Sequence, residues 1–91
     1  MKTININGEQ CTVIESIDDV LAYNSGKEIE FVEEYRGYYF IRFKPEHFYD
    51  EAMYKVEIST GKAECIHLID YFIEVEGNGK RIDPSTIRSA V

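Results

Sequence analysis

Hydrophobic and polar positions alternate at the start of the chain, which predicts strands. Ile4 and Ile6 alternate with Thr and Asn residues, as expected of a strand with one apolar face. Asn7 and Gly8 follow, the dipeptide that most readily adopts the positive φ angles of a two-residue turn. The opening residues therefore predict a β-hairpin whose return strand passes through Cys11.

A short helix is predicted next, because the apolar spacing changes from two residues to three and four. Ile17, Val20 and Leu21 fall on one helical face. Ser16 has the side chain of an N-cap residue, and Gly26 is placed to end the helix. About two turns of helix are too short to be stable alone, so we expect this helix to pack on a sheet.

The segment from Glu28 to Lys44 predicts a second hairpin that turns at Arg36-Gly37. In its first strand apolar residues alternate with acidic ones, except at Val32 and Glu33. This pattern predicts a half-buried strand with an acidic outer face.

The return strand of this hairpin, residues 38–44, is apolar on both faces near its start, which is typical of a strand near the centre of a sheet. Antiparallel pairing would also bring Arg42 and Lys44 close to the acids at positions 28 and 30.

The second half of the chain contains one ambiguous segment. A polar connection that starts at Pro45 is followed by a predicted strand, residues 52–59, and by a turn at residues 59–62. Residues 63–76 fit a helix by their apolar spacing of three and four, and a strand by the alternation in their second half. The tight turn before them favours a hairpin strand, but both readings remain open.

The chain ends in a predicted edge strand and a short helix. Lys80 to Ile82 follow a glycine-rich turn, and Asp83 with Pro84 is typical of a helix start. The order of elements predicts an α+β fold, a mainly antiparallel sheet of about five to six strands with one or two short helices packed on one face. At 91 residues the chain is expected to form a single compact domain, residues 1–91.

Charge and composition restrict the function. Seventeen acids against ten bases give a net charge of −7, which disfavours direct binding to nucleic acid or anionic membranes. No charged leader with an apolar core stands at Met1 and no apolar run approaches 18 residues, so we expect a cytoplasmic protein. Cys11 and Cys65 belong to no CxxC motif, and we expect both to be small buried hydrophobic residues.

Candidate catalytic and metal-binding chemistry is weak. His47, Asp50 and Glu51 have a spacing that would place three ligands on one side of a helical turn, but a solvated polar loop explains them equally well. Cys65 and His67 would share one face of a strand, without an evident third member or oxyanion donors. We therefore expect no enzyme activity, no cofactor and no metal.

The remaining unusual feature is the aromatic and acidic composition of the second hairpin. Seven tyrosines exceed what a small core buries with every hydroxyl satisfied, and tyrosine is enriched at protein interfaces. We therefore predict a small acidic protein-binding module, of the inhibitor or immunity type, that docks on a basic partner, such as a nuclease or another nucleic-acid-handling protein. The predicted contact residues lie on the second hairpin: Glu28, Glu30, Glu33, Glu34, Tyr35 and Tyr38.

Two other functions fit the sequence. One is a structural or housekeeping module that self-associates through an exposed strand edge, as a homodimer. The other is a small-ligand or metal-binding domain that uses the loop around His47.

Overall fold

The computed structural model describes residues 2–88, which form seven strands and three short helices. In chain order, these elements are β1 Lys2–Ile6, β2 Glu9–Val13, α1 Ile17–Tyr23, β3 Ile29–Tyr35, β4 Tyr38–Phe43, β5 Ala52–Glu57, β6 Ala63–His67, α2 Leu68–Val75, β7 Lys80–Ile82 and α3 Pro84–Arg88. The predicted α+β class is confirmed.

All of the strand pairs are antiparallel. β1 and β2 form a separate two-stranded sheet, and the other five strands form a sheet in the order β6-β5-β4-β3-β7. β4 lies at the centre of the larger sheet, as its two apolar faces predict. Three of the four neighbouring strand pairs are joined by short connections, and among the strands of residues 2–88 only β7 returns from a distant part of the chain, to pair with β3.

The local signals at the ends of the elements are confirmed. Asn7 and Gly8 have φ angles of 52° and 83° in the first turn. The backbone N–H of Asp19 donates to Ser16 Oγ at 3.2 Å at the start of α1. Asp83 Oδ1 likewise accepts from the N–H of Ser85 at 3.0 Å at the start of α3. Each signal acts within a few residues, so it does not depend on the rest of the fold.

β3 does not have the predicted acidic outer face. It lies between β4 and β7, and its register with β4 shifts between Ile29 and Phe31. After this bulge, Val32 and Glu33 are both buried on opposite faces of the sheet. Val32 and Glu33 therefore break the alternation in the sequence because the bulge before them changes which residues of β3 face each core.

The ambiguous segment contains both a strand and a helix, so neither of the two readings left open holds for the whole of residues 63–76. β6 pairs with β5 as far as His67, and α2 begins at Leu68. The N–H of His67 donates to Asp70 Oδ2 at 3.1 Å, and the N–H of Leu68 donates to the carbonyl of Glu51 at 2.8 Å. These bonds stabilise the start of α2. From Leu68 onward the apolar residues recur at spacings of three and four, as in a helix.

The larger sheet is covered on both faces. Helices α1 and α3 pack on one, here called the α1 face, around Val20 and Ile87. Its buried side chains form the larger core: Val20, Ile29, Val32, Ile41, Phe43, Tyr54, Val56 and Ile87. Helix α2 packs on the opposite face, here called the α2 face, over a smaller core of Phe40, Met53, Tyr71 and Val75. Helix α2 thus covers the second face of the sheet, whereas the sequence predicted helices on one face only.

No helix within residues 2–88 is both long enough and apolar enough to cross a membrane.

Candidate functional site

The six predicted contact residues do not lie together on one surface. Glu28, Glu30 and Glu34 are exposed, and Tyr35 and Tyr38 are half-buried. Glu33 is buried, with 8% of its surface exposed. Successive side chains of β3 point to opposite faces of the sheet, and both faces are covered. Of the six residues, only the three exposed glutamates can therefore meet a partner without rearrangement of the fold.

Glu33 instead forms a buried hydrogen-bonded group on the α2 face. Its carboxylate accepts from the Tyr71 hydroxyl at 2.5 Å and from Arg81 Nε at 3.0 Å. Burial, followed by the hydrogen bond to Glu33 and its charge, raises the pKa of Tyr71 to about 12. Arg81 also lies over the ring of Phe31, at 4.5 Å from its centroid. Glu33 therefore connects β3, β7 and α2, and this role is structural.

The charges of the second hairpin are partly paired, but only one of the two expected pairs forms. Lys44 Nζ lies 3.0 Å from Glu28 Oε2 in an exposed ion pair. Arg42 is buried and donates to the carbonyl oxygens of Asp50 and Ala52, at 2.6 Å and 2.8 Å, rather than to Glu30. The sequence missed this because Arg42 lies on the α2 face, towards the β4–β5 connection.

Tyr38 also takes part in contacts within the chain. Lys55 Nζ lies 4.4 Å from the centroid of the Tyr38 ring and 2.9 Å from Glu74 Oε1. The side chain of Lys55 is only 18% exposed, so it links the sheet to α2. Tyr38 therefore contributes, through Lys55, to the contact between the sheet and α2.

The largest exposed apolar surface on a helix is on α2, where the sequence predicted no site. Ile69, Phe72 and Ile73, here called the apolar stripe, are 56%, 56% and 67% exposed. Their spacing of three and four places them on one side of the helix, while Tyr71 and Val75 point into the core. The helical reading of residues 63–76 contained this apolar spacing, but the spacing alone did not show which side of the helix is exposed.

A second exposed apolar group lies on the connection between β4 and β5, residues 44–51, here called the aromatic loop. Phe48 is 98% exposed and Tyr49 is 67% exposed. The Tyr49 ring stacks on His47 with centroids 5.2 Å apart, and it meets Phe48 edge-on at 5.5 Å. The loop is held at its end by the two hydrogen bonds from Arg42. It thus presents aromatic side chains from an anchored base.

The aromatic loop is next to the start of α2. Glu51 in the loop accepts from the N–H of Leu68, the first residue of α2. The aromatic loop and strand β6 border a groove of about 440 Å³, which is lined by His47, Tyr49, Ile66 and His67 among others. The aromatic loop and α2 therefore belong to one end of the molecule.

Neither cysteine is buried as the sequence predicted. Cys65 is exposed and Cys11 is half-buried, and both are free thiols. The partial burial of the Cys65 thiol, and then the Asp50 carboxylate, raise the pKa of Cys65. A raised pKa keeps the thiol protonated near neutral pH, which makes it a poor nucleophile.

The three metal-binding candidates occupy the aromatic loop, where Asp50 Oδ1 accepts from the N–H of Ala52 at 3.0 Å. Within residues 2–88 no group of three or more His, Cys, Asp or Glu side chains is arranged to hold a metal ion. His47 is instead stacked on Tyr49.

Comparison with protein-family models gave no match, and no match was found among the curated proteins or the solved structures.

Proposed function

We propose that the protein is a small acidic binding module, of the inhibitor or immunity type, that acts by docking on a basic partner protein and not by catalysis. The observation that carries this proposal is the apolar stripe. Three large apolar side chains are more than half exposed on one side of α2, although the same helix buries Tyr71 and Val75 on another side. Contiguous exposed apolar side chains are a mark of interaction sites.

Burial of the stripe supplies the driving force for docking. Full burial of a side chain of this size is worth about 1.5–3 kcal/mol relative to full exposure, and each member of the stripe is already partly covered. Covering the remaining area of Ile69, Phe72 and Ile73 would therefore contribute a few kcal/mol, which is enough for a hot spot at the centre of an interface.

The charge beside the stripe selects the partner. Asp70 lies on the neighbouring side of α2 with Glu74, which is paired with Lys55, and Glu76 follows the helix; α2 itself contains no basic residue. The whole chain carries a net charge of −7. A basic partner that presents an apolar patch would match both features, and complementary charge would speed its association and make binding sensitive to salt. Nucleic-acid-handling proteins offer such basic surfaces.

The aromatic loop supports the same proposal. A phenylalanine that is 98% exposed on an anchored loop offers a large apolar contact at little cost in chain entropy. Aromatic side chains are enriched at the centres of protein interfaces. We assign Phe48 a contact with the partner beside the stripe, and Glu28, Glu30 and Glu34 a long-range electrostatic role. Glu33 has no part in the contact because it is buried.

The experiment that tests the proposal is capture of partners from lysate on the immobilised protein, with elution by stepped salt. Ile73→Lys is the test variant, because it places a positive charge in the apolar stripe. Ile58→Lys is the matched control, since Ile58 is also an exposed isoleucine, at 39%, but lies after β5 and away from α2. A triple change of Glu28, Glu30 and Glu34 to Lys tests the electrostatic role.

We expect one basic protein to be retained by the wild type and by Ile58→Lys and lost by Ile73→Lys. With that partner purified, Ile73→Lys should weaken binding about tenfold or more. The triple Lys variant should slow association and reduce its dependence on salt. Equal retention by Ile73→Lys and the wild type, or retention of no basic protein by the wild type, would contradict the proposal.

A further inference from the structure

The β1–β2 hairpin lies outside both cores. It forms its own two-stranded sheet, and every residue of β1 is exposed. A two-stranded hairpin is only marginally stable in water unless further strands or a helix cover its apolar face. The hairpin therefore has an incomplete packing environment in the single chain.

One face of the hairpin carries four apolar side chains together with Lys2 and Glu9, which pair with Val13 and Ile6, and its outer half is open. Ile4 pairs with Cys11, so their side chains lie on the same face. Ile6 and Val13 share this face because side chains alternate along each strand. On β2, Cys11 and Val13 are half-buried, whereas Ile4 and Ile6 on β1 are 41% and 50% exposed.

The outer edge of β1 has unpaired backbone groups. A two-residue turn closes on a hydrogen-bonded pair, here Ile6 and Glu9, and such pairs alternate along an antiparallel ladder. Thr3 and Asn5 therefore direct their N–H and C=O groups away from β2. β2 is the inner strand, because Thr12 borders a cavity together with Phe43 of the larger sheet.

β1 also lacks the features that normally protect an edge strand. It contains no proline and a single charged residue, Lys2 at its start. Both edges of the larger sheet are better protected. At β6 the N–H of Ala63 donates to the carbonyl of Glu15, and the N–H of His67 donates to Asp70. At the opposite edge, β7 is only three residues long.

We propose that β1 pairs with β1 of a second copy of this chain, antiparallel about a two-fold axis at Ile4. In this register Thr3 faces Asn5 of the second copy, and Asn5 faces Thr3. These two pairs exchange four N–H···O=C bonds between the outward backbone groups. Ile4 lies next to Ile4 of the second copy and Lys2 faces Ile6 of the second copy, so the two hairpins form a four-stranded sheet whose shared face is apolar at its centre.

The distribution of charge favours this contact. Residues 2–13 contain one base, Lys2, and one acid, Glu9, so the hairpin is neutral. The chain as a whole carries −7. Two copies repel each other over most of their surface and approach at least electrostatic cost through their hairpins.

The test is sedimentation velocity on the full chain, up to millimolar concentration, with two charge variants at the two-fold axis. Ile4→Glu places two carboxylates side by side in the dimer, and Ile4→Lys places two ammonium groups there. Gln10→Glu is the matched control, because it adds the same negative charge on β2, away from the axis. Circular dichroism and amide exchange of the larger sheet establish that each variant is folded.

We expect the wild type and Gln10→Glu to sediment as dimers, with a mass twice that of the 10.6 kDa monomer. Each Ile4 variant should be a monomer alone, and an equimolar mixture of the two should restore a dimer, because the opposite charges then meet at the axis. A monomeric wild type, a dimer that persists in both Ile4 variants, or a mixture that stays monomeric would overturn the proposal.

The dimer and the basic partner respond differently to the same changes. Salt screens the repulsion between two anionic copies, so it should preserve or strengthen the dimer, whereas it should weaken binding of the basic partner. Ile73→Lys changes the apolar stripe and should leave the dimer intact. The dimer therefore stands or falls independently of the proposed function.

Discussion

The two faces of the five-stranded sheet bury different kinds of side chain. The α1 face holds the larger core, where buried Asn24 Nδ2 donates to the carbonyl of Val20 at 2.8 Å and to the Tyr54 hydroxyl at 3.2 Å. The α2 face holds four buried apolar side chains together with two buried charged residues, Glu33 and Arg42. Each of these charges has two hydrogen bonds.

The difference shows how a short helix is held on a small core. A charge is buried at low cost only when it is paired and hydrogen-bonded. On the α2 face Glu33 does this by linking elements that are distant in the chain, since it lies 38 residues from Tyr71, whereas Arg42 bonds to the carbonyls of the adjoining β4–β5 connection. α2 is thus held by specific polar contacts as well as by area, and it has an apolar side left exposed.

The largest expected effect compares neighbours on β4. Phe40 and Ile41 are both fully buried, on the α2 face and the α1 face respectively. Replacement of a buried Phe or Ile by Ala costs about 3–5 or about 2–5 kcal/mol. We therefore expect Phe40→Ala to destabilise the protein at least as much as Ile41→Ala, as measured by urea unfolding. A cost for Phe40→Ala far below that of Ile41→Ala would show that the α2 face is loosely packed.

The next effect is a loss of stability at high pH that depends on Tyr71. Its pKa rises from 10.0 to about 12, first because of burial and then because of Glu33. A raised folded-state pKa means that the neutral phenol is stabilised. This contribution is complete below pH 10, and it is lost as the pH rises through about 12. Two pKa units correspond to about 2–3 kcal/mol.

Tyr71→Phe is the matched control for this pH dependence, because it keeps the ring and removes the ionisable group. We expect the free energy of unfolding of the wild type to fall relative to Tyr71→Phe by about 2–3 kcal/mol between about pH 9 and pH 12. Parallel pH curves for the two proteins would mean that Tyr71 titrates normally.

A smaller effect is expected from Gly79, which lies beside the Glu33 carboxylate. A Cβ atom at position 79 would collide with the Glu33 side chain, and overpacking of this kind costs about 1–3 kcal/mol. Gly79→Ala should therefore destabilise the wild type but have little effect in a Glu33→Ala background, as shown by a double-mutant cycle. An equal cost in both backgrounds would place the effect in the backbone of residue 79 instead.

The smallest effect is expected at Glu28, the exposed glutamate at the start of the second hairpin. The Glu28 side chain is 71% exposed and pairs with Lys44, whereas that of Glu33 is 11% exposed. Glu28→Gln should change the free energy of unfolding by less than about 0.5 kcal/mol, whereas Glu33→Gln should cost about 1–3 kcal/mol. Thermal or urea unfolding of both variants makes the comparison, and similar costs would contradict the assigned difference in burial.

Most of the elements were predictable from the sequence, while the contact surface was not. Residues 63–76 show why, because their helical and strand patterns overlap and only pairing with β5 ends the strand at His67. The predicted site failed at Glu33 for a related reason. A one-residue bulge after Ile29 changes the side of the sheet to which it points.

By itself the sequence determined the turns, the helix starts and the α+β class. Asn7-Gly8, Ser16 and Asp83 act through φ angles and hydrogen bonds within a few residues, so they can be recognised locally. Tertiary structure alone decided that Glu33 is buried and that the apolar stripe of α2 is exposed. Those outcomes depend on contacts between residues that are distant in the chain, such as Glu33 and Arg81, 48 residues apart, and no local pattern encodes which side of an element such contacts will cover.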